Sequence, residues 1–305
     1  MDLFQLQTFI AVVQEGSFSR AAHKLNRSQP AISQTIRKLE EELGEALLDR
    51  SSRDGTLTDA GQVVYEYAQK LVNLRMEAQG ALTELRELNR GKLSIAANEF
   101  TCLYLLPVLD EFRRLYPTIK ITVQRSLASR IPQSILEHNV ELGVISFNPE
   151  DPLLRSIVVY RDELALVVYP RHPLASTRQV AVRDLGVESF VAHNVASPFR
   201  IKVIEAFKRY RTALNMDTEL PTIDAIKKFV MLENGIALIP ALAVESELAR
   251  GELVRVMVRD LKLERKLRIV YRRNAKLSHA ARAFLKISEN LAAEKKGRHV
   301  YQPEK

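Results

Sequence analysis

Residues Gly16 to Gly44, reading GSFSRAAHKLNRSQPAISQTIRKLEEELG, constrain the fold more than any other stretch. Two short helical patterns lie on either side of a polar break at Asn26-Arg27-Ser28. In the second pattern Ile32, Ile36, Leu39 and Leu43 recur at the spacing of one α-helical face. The opposite face carries Ser33, Gln34, Arg37 and Lys38, with Gln29 just before it. Ser28 or Gln29 stands where an N-cap belongs, and Pro30 is tolerated in a first turn whose amides have no intrahelical partner. Gly44 marks the stop, where a left-handed residue is cheap. A short helix, a tight turn and a second helix with an uncharged-to-basic outer face make a helix-turn-helix. Ser and Gln can bond base edges or phosphates while Arg37 and Lys38 add charge, so this face suits double-stranded DNA. Spacing alone leaves open a small helical subdomain with a solvated face.

The flanks extend this unit. Leu3, Leu6, Phe9, Ile10 and Val13 predict an amphipathic helix capped by Asp2. Ser17 caps the next, whose Phe18, Ala21, Ala22 and Leu25 join a common core. After Gly44, Ala46-Leu47-Leu48 and Thr56-Leu57 flank an Asp54-Gly55 hairpin signal, predicting a two-stranded wing that sets Arg50 and Arg53 against the DNA backbone or in a minor groove. From Thr58 a long helix is expected, with Ala60, Val64, Tyr67, Leu71, Leu74, Ala78, Ala81, Leu85 and Leu88 in an a/d heptad pattern. So narrow a stripe is poorly explained by packing within a monomer. It predicts a dimerisation helix, with Val64, Tyr67, Leu71, Leu74, Ala78 and Leu85 pairing two copies.

Beyond Gly91 short strands alternate with helices. Strands are expected at 92–97, 119–124 and 142–146, with helices at 103–115 and 131–137 between them. This βαβαβ order predicts an open parallel sheet. A second set has strands at 164–169, 189–192 and 236–239 and helices at 198–213, 223–232 and 241–249, before a last strand at 267–271 and helix at 278–293. The expected domains are 1–58, a linker helix at 59–90, and a two-lobed α/β domain at 91–293. Its first lobe takes about 91–161 and 267–293, its second 162–266, with a cleft between them. The tail 294–305 is polar and expected to be disordered.

Composition narrows the partners. The net charge of +8 favours nucleic acid over acidic partners. The absence of a long apolar run predicts no transmembrane helix, and the N-terminus lacks the features of a secretory signal. Cys102 is the sole cysteine, which excludes an internal disulfide and fits a reducing cytoplasm. The histidines show no metal-ligand spacing, and no phosphate loop, GxSxG elbow or HExxH stands in the chain, so neither metal, cofactor nor enzyme activity is expected.

These motifs together resemble the LysR-type transcriptional regulators over residues 1 to about 293. The resemblance rests on Phe9-x-x-Val12, Gly16-Ser17-Phe18-Ser19-Arg20-Ala21-Ala22, Leu25, Ser28-Gln29-Pro30-Ala31-Ile32-Ser33, Ile36, Leu39-Glu40, Leu43-Gly44, Leu47-Leu48, Arg50, Arg53, Leu57-Thr58 and Ala60-Gly61. Leu105-Leu106-Pro107, Phe112, Pro117 and Gly235-Ile236-Ala237-Leu238-Ile239-Pro240 continue it. It implies a winged helix-turn-helix, a coiled-coil linker helix and a periplasmic-binding-protein-like effector domain. Ser28, Gln29, Ser33 and Arg37 would approach the major groove.

The same resemblance implies a homodimer or dimer of dimers, contact with RNA polymerase, and a small-molecule effector that shifts the two lobes. Asn98, Glu99 and Thr101 match cleft-mouth positions. Ser126, Ser129 and Arg130 follow the second strand, Ser146 and Phe147 end the third, and His193, Asn194 and Ser197 follow a strand of the other lobe. Arg130 and Arg200 could hold a carboxylate. Glu99 argues against a simple anion at its own position unless a basic side chain neutralises it. Departures are Leu48 in place of a usual Phe, Asp54 and Thr56 at often basic wing positions, and Ala196-Ser197-Pro198-Phe199-Arg200 in place of Gly-Ser-Gly-Thr-Arg. Two rivals remain: a solute-binding protein, which has no use for residues 1–90, and a nucleoid-type architectural protein without ligand control.

Overall fold

The computed structural model describes residues 1–49, 56–86, 91–195, 197–261 and 263–294. They fall into two compact units, one from 1–88 with 136–140 and the other from the remainder.

The first unit begins with α1 (Leu3–Glu15), α2 (Phe18–Lys24) and α3 (Gln29–Leu43). Asp2 caps α1 through a reciprocal pair of bonds with Gln5, and Ser17 caps α2 by accepting from the Arg20 amide at 3.4 Å. Ser28 is the N-cap of α3 by backbone geometry, but its side chain makes no bond to the helix. Gly44 ends α3 at φ 75°, where a Cβ would be strained. The 3.6-residue period carries Ile32, Ile36 and Leu39 into a core with Phe9, Val12, Ala21 and Leu47.

Buried Glu40 belongs to that inner face. Its Oε1 accepts from the amides of Leu47 at 2.9 Å and Leu48 at 3.3 Å, satisfying backbone donors where the chain enters the wing. The wing closes with a Leu48–Leu57 antiparallel bridge and an Asp49 amide donating to the Thr56 carbonyl at 2.8 Å. Arg50, Arg53 and the Asp54-Gly55 turn lie outside the described residues.

Helix α4 (Asp59–Arg86) follows, its start capped by Thr58 Oγ1, which accepts from the Gly61 amide at 2.9 Å. Ala60, Val64, Tyr65, Ala68 and Val72 pack on the same core as α3. The heptad reading is corrected at its beginning, because Ala60 and Val64 serve this core. Tyr67, Leu71, Leu74 and Ala78 point to solvent, Tyr67 with 62% of its surface exposed. The side chains of Ala81 and Leu85, and all of residues 87–90, lie outside the described residues.

Gly61 allows the close approach of α4 to the wing. A Cβ built there would sit 2.0 Å from the Leu47 carbonyl oxygen, an atom fixed by the backbone. Gly61→Ala is expected to lower stability by about 2–3 kcal/mol. Urea unfolding checks this, and an unchanged midpoint would show that the two segments separate freely.

The second unit is built on β1 (Lys92–Ala97), α5 (Glu99–Leu115), β2 (Lys120–Arg125), α6 (Ile131–Leu136), β3 (Leu142–Ile145) and β4 (Leu154–Val168). It continues through β5 (Gln179–Val180), β6 (Ser189–His193), α7 (Pro198–Arg209), β7 (Asn215–Leu220), α8 (Ile223–Met231) and β8 (Ala237–Pro240). The last elements are α9 (Glu245–Ala249), β9 (Val254–Val258), β10 (Glu264–Arg272) and α10 (His279–Glu294). The main sheet runs β2-β1-β3-β10-β4-β9-β5, with β8 also on β4, while β6 and β7 pair separately.

The expected parallel sheet holds for β1, β2 and β3 and is corrected beyond them: β10 is antiparallel to both β3 and β4. The expected strand at 164–169 is the second half of β4, whose first half carries no strand signal because Arg155, Arg161, Asp162 and Glu163 interrupt the apolar run. Strands β5, β7 and β9 are additional to the expected set; β7 alternates half-buried and exposed residues around Asp217 and Glu219. The long β4 and β10 tie two cores together. Val159, Tyr160, Leu267 and Ile269 enter the core under α5 and α10. Further along β4, Ala165 and Val167 enter the core under α8, while Leu166 and Val168 enter the one under α7. The expected helix at 241–249 is a short 3-10 turn followed by α9.

Candidate DNA-reading helix and effector cleft

Burial of Ile32, Ile36 and Leu39 fixes which face of α3 looks outward. Ser28, Gln29, Gln34, Arg37 and Lys38 are exposed there and Ser33 is half-buried. Thr35 is half-buried, its hydroxyl donating to the Ala31 carbonyl at 2.9 Å. The outer face thus offers amides and hydroxyls at the N-terminal end and two cations one turn further on. This is the order in which a helix entering a major groove meets bases and then phosphates.

In the second unit, the ends of β1 and β6 and the starts of α5, α7 and α8 converge. Asn98 caps α5: its Oδ1 accepts from the Thr101 amide at 2.8 Å, and its own amide donates to Thr101 Oγ1 at 3.1 Å. Thr101 is fully buried, so its expected place on the cleft surface is corrected; the capping box consumes it. Glu99, next along, reaches across. Its Oε1 accepts from the Ile223 amide at the start of α8 at 2.9 Å, and its Oε2 lies 3.6 Å from His193 Nε2. The Val195 amide donates to His193 Nδ1 at 3.2 Å, which puts the neutral ring's proton on Nε2, facing Glu99.

Among the expected cleft residues, Glu99 and His193 are thus brought together from two separate segments. Asn194 is exposed, its amide donating to the Leu220 carbonyl at 3.0 Å. Ser197 caps α7 by accepting from the Arg200 amide at 3.1 Å. Ser126 is half-buried, its amide donating to the Ala97 carbonyl at 3.0 Å, while Ser129 and Arg130 are exposed on a 3-10 turn. Ser146 and Phe147 are half-buried just after β3. Arg200, expected as a carboxylate holder, is already engaged: it pairs with Glu219 and donates to the His193 carbonyl at 3.0 Å.

One feature of this region had no sequence signal. Directly opposite each other on β4 and β10, Asp162 and Arg265 form an ion pair at 3.0 Å with both side chains buried. The Arg265 guanidinium also lies 5.8 Å from the Phe100 ring of α5 and 5.1 Å from the Phe199 ring of α7. Phe100 in turn meets His193 at 5.4 Å. Burial pushes the Asp162 carboxyl up and the Arg265 guanidinium down from their ordinary values, with each partner's charge opposing the shift. Burial likewise raises the Cys102 thiol, which disfavours its reactive thiolate form. Among the described residues no cluster of three His, Cys, Asp or Glu could hold a metal ion, and no helix is long and apolar enough to cross a membrane.

Residues 3–62 match the family model described as bacterial regulatory helix-turn-helix protein, lysR family, and residues 86–292 match the LysR substrate binding domain. The chain is a LysR-type transcriptional regulator. This LysR-type regulator is 36% identical over 290 residues to a probable RuBisCO transcriptional regulator of Cyanidioschyzon merolae, covering 92% of this chain and 95% of that one. It is 32% identical over 291 residues to the protein of the same name from Synechocystis, covering 93% and 84%. Its fold is that of CbnR, a LysR family transcriptional regulator whose crystal structure shares 21% identity at a TM-score of 0.73 and covers 96% of this chain and 99% of that one. The regulator is therefore a DNA-binding protein with an effector-binding domain, and not an enzyme.

Proposed function

We propose that this LysR-type regulator binds specific duplex DNA as a homodimer through α3, and that an effector in the cleft of the second unit controls that binding. The carrying observation is the polar and basic outer face of α3, held in place by buried Ile32, Ile36 and Leu39. Ser28, Gln29, Ser33 and Gln34 read or approach base edges while Arg37 and Lys38 hold phosphates. Arg50 and Arg53 of the wing add backbone contacts. Exposed Tyr67, Leu71, Leu74 and Ala78 on α4, together with Leu85, make the pairing surface. Its support is a shallow apolar groove of about 390 Å³, lined by Leu3, Leu6, Leu71, Leu74 and Ala78 among others. Two such dimers associate into a tetramer. The complex works in the cytoplasm and contacts RNA polymerase.

The cleft takes a small molecule between Glu99, Asn98, Ser126, Ser129, Arg130, Ser146 and Phe147 of one lobe and His193, Asn194 and Ser197 of the other. The effector acts through its different affinities for two arrangements of the lobes. The test is sequencing of genomic fragments retained by the purified protein at near-physiological salt. The expected result is a few sites sharing an inverted repeat, with half-sites spaced by whole helical turns. The name carried by the relatives makes fragments upstream of RuBisCO genes the first to inspect. Broad, salt-sensitive coverage without a motif would instead indicate an architectural protein.

A further inference from the structure

The start of an α-helix has free amides and partial positive charge, and is where an anionic group of a ligand ordinarily binds. At α8 that place is taken by the chain itself. Glu99, carried by α5 of the other lobe, accepts from the Ile223 amide at 2.9 Å, and its second oxygen faces His193 Nε2 at 3.6 Å. Both of these facing atoms are shielded from solvent. The Ala225 amide, two residues on, is taken as well: Thr222 Oγ1 accepts from it at 3.2 Å. A second carboxylate, Asp224, lies in the first turn and pairs with Lys227 at 3.1 Å.

The cations around this contact are also matched. Arg200 holds Glu219 and Arg265 holds Asp162. An incoming carboxylate or phosphate would therefore meet two like charges and would have to expel Glu99 from the amide.

We infer that Glu99 is a specificity-determining residue: it supplies the chain's own anion at the start of α8 and so excludes carboxylate and phosphate groups of effectors from that end of the cleft. This rests on the reading of the cleft as the effector site. Effectors meet that end instead with a hydroxyl or an amine, groups that a carboxylate accepts from.

The test compares the full-length protein with Glu99→Ala and Glu99→Gln. Isothermal titration with inorganic phosphate and with acetate reads the anion, and a crystal of Glu99→Ala grown with phosphate locates it. Removing the like charge is expected to tighten phosphate binding at least about tenfold, with a phosphate oxygen within hydrogen-bond distance of the Ile223 amide. Glu99→Gln retains an oxygen for that amide, which preserves the local fold and leaves a smaller gain. The inference is overturned if the wild-type protein binds phosphate or acetate at Ile223 as tightly as Glu99→Ala does, or if Glu99→Ala gains no binding there. Retention of genomic sites by the wild-type protein reads the regulator function separately, so the two can fail independently.

Discussion

Replacing Ser33 and Arg37 together with alanine is expected to weaken binding to a selected site by about a hundredfold while the protein remains folded. The Ser33 contact to a base edge contributes about 1–3 kcal/mol of discrimination, and the charge-assisted Arg37 contact to a phosphate adds about 1.5–3 kcal/mol, which together account for this magnitude. Binding to random duplex should fall far less, because it depends on the sum of phosphate contacts, and its salt slope should drop by about one for the lost arginine. Folding should survive, since Arg37 is exposed and Ser33 only half-buried, whereas Ile32 and Ile36 beside them anchor the helix. Quantitative gel shifts on both kinds of DNA decide the matter. Equal losses on specific and random duplex would mean that these residues add charge and hydroxyls without reading sequence, and unchanged affinity would remove α3 from the interface.

The second large effect is expected at the ion pair that joins β4 to β10. Removing one member, by Asp162→Asn or Arg265→Met, leaves the other polar group buried without its partner and should cost about 3–5 kcal/mol. Replacing both, as Asp162→Leu with Arg265→Met, should recover most of that loss, because the desolvation of two charges disappears along with their attraction. Phe100 and Phe199 already line the site, so an apolar pair has neighbours to pack on.

The pH dependence has a definite sign. Burial raises the Asp162 carboxyl above its unfolded value. Its contribution to stability is therefore fully present below the unfolded value and is lost as pH rises through the folded one. Without Arg265 to oppose that shift, Arg265→Met should lose stability relative to wild type as pH rises out of the carboxylate range. Urea unfolding at acidic and neutral pH reads this. Equal losses for the double and single variants would show that the ionic pairing, rather than its burial, holds the strands.

The contrast between these two experiments follows from how the two regions are encoded. The α3 face was legible because its information is local. The period of Ile32, Ile36 and Leu39 places Ser33, Arg37 and Lys38 outward in any context that buries the first three. The same holds for the caps at Asp2 and Ser17, whose partners stand three residues away. The heptad of α4 was also legible, but not its division. Tertiary packing assigned Ala60 and Val64 to the domain's own core and left Tyr67, Leu71 and Leu74 outside.

In the second unit the sequence marked Glu99 and His193 as cleft residues but could not join them. Glu99 meets the Ile223 amide across 124 residues of chain, and Arg265 meets Asp162 across 103. Nothing local to Asp162 distinguishes it from a solvated charge, and the charged residues around it concealed the strand that carries it. Arg200 looked available because its partner, Glu219, lies on a strand that polar residues had hidden.

The sequence by itself thus determined the helix-turn-helix, its outward chemistry and the family, because periodicity, capping and turn residues act over a few positions. Only the tertiary structure decided which charges are neutralised, which strands turn antiparallel, and what occupies the start of α8. Those outcomes depend on pairings between distant segments, whose energies exist only once the segments are brought together.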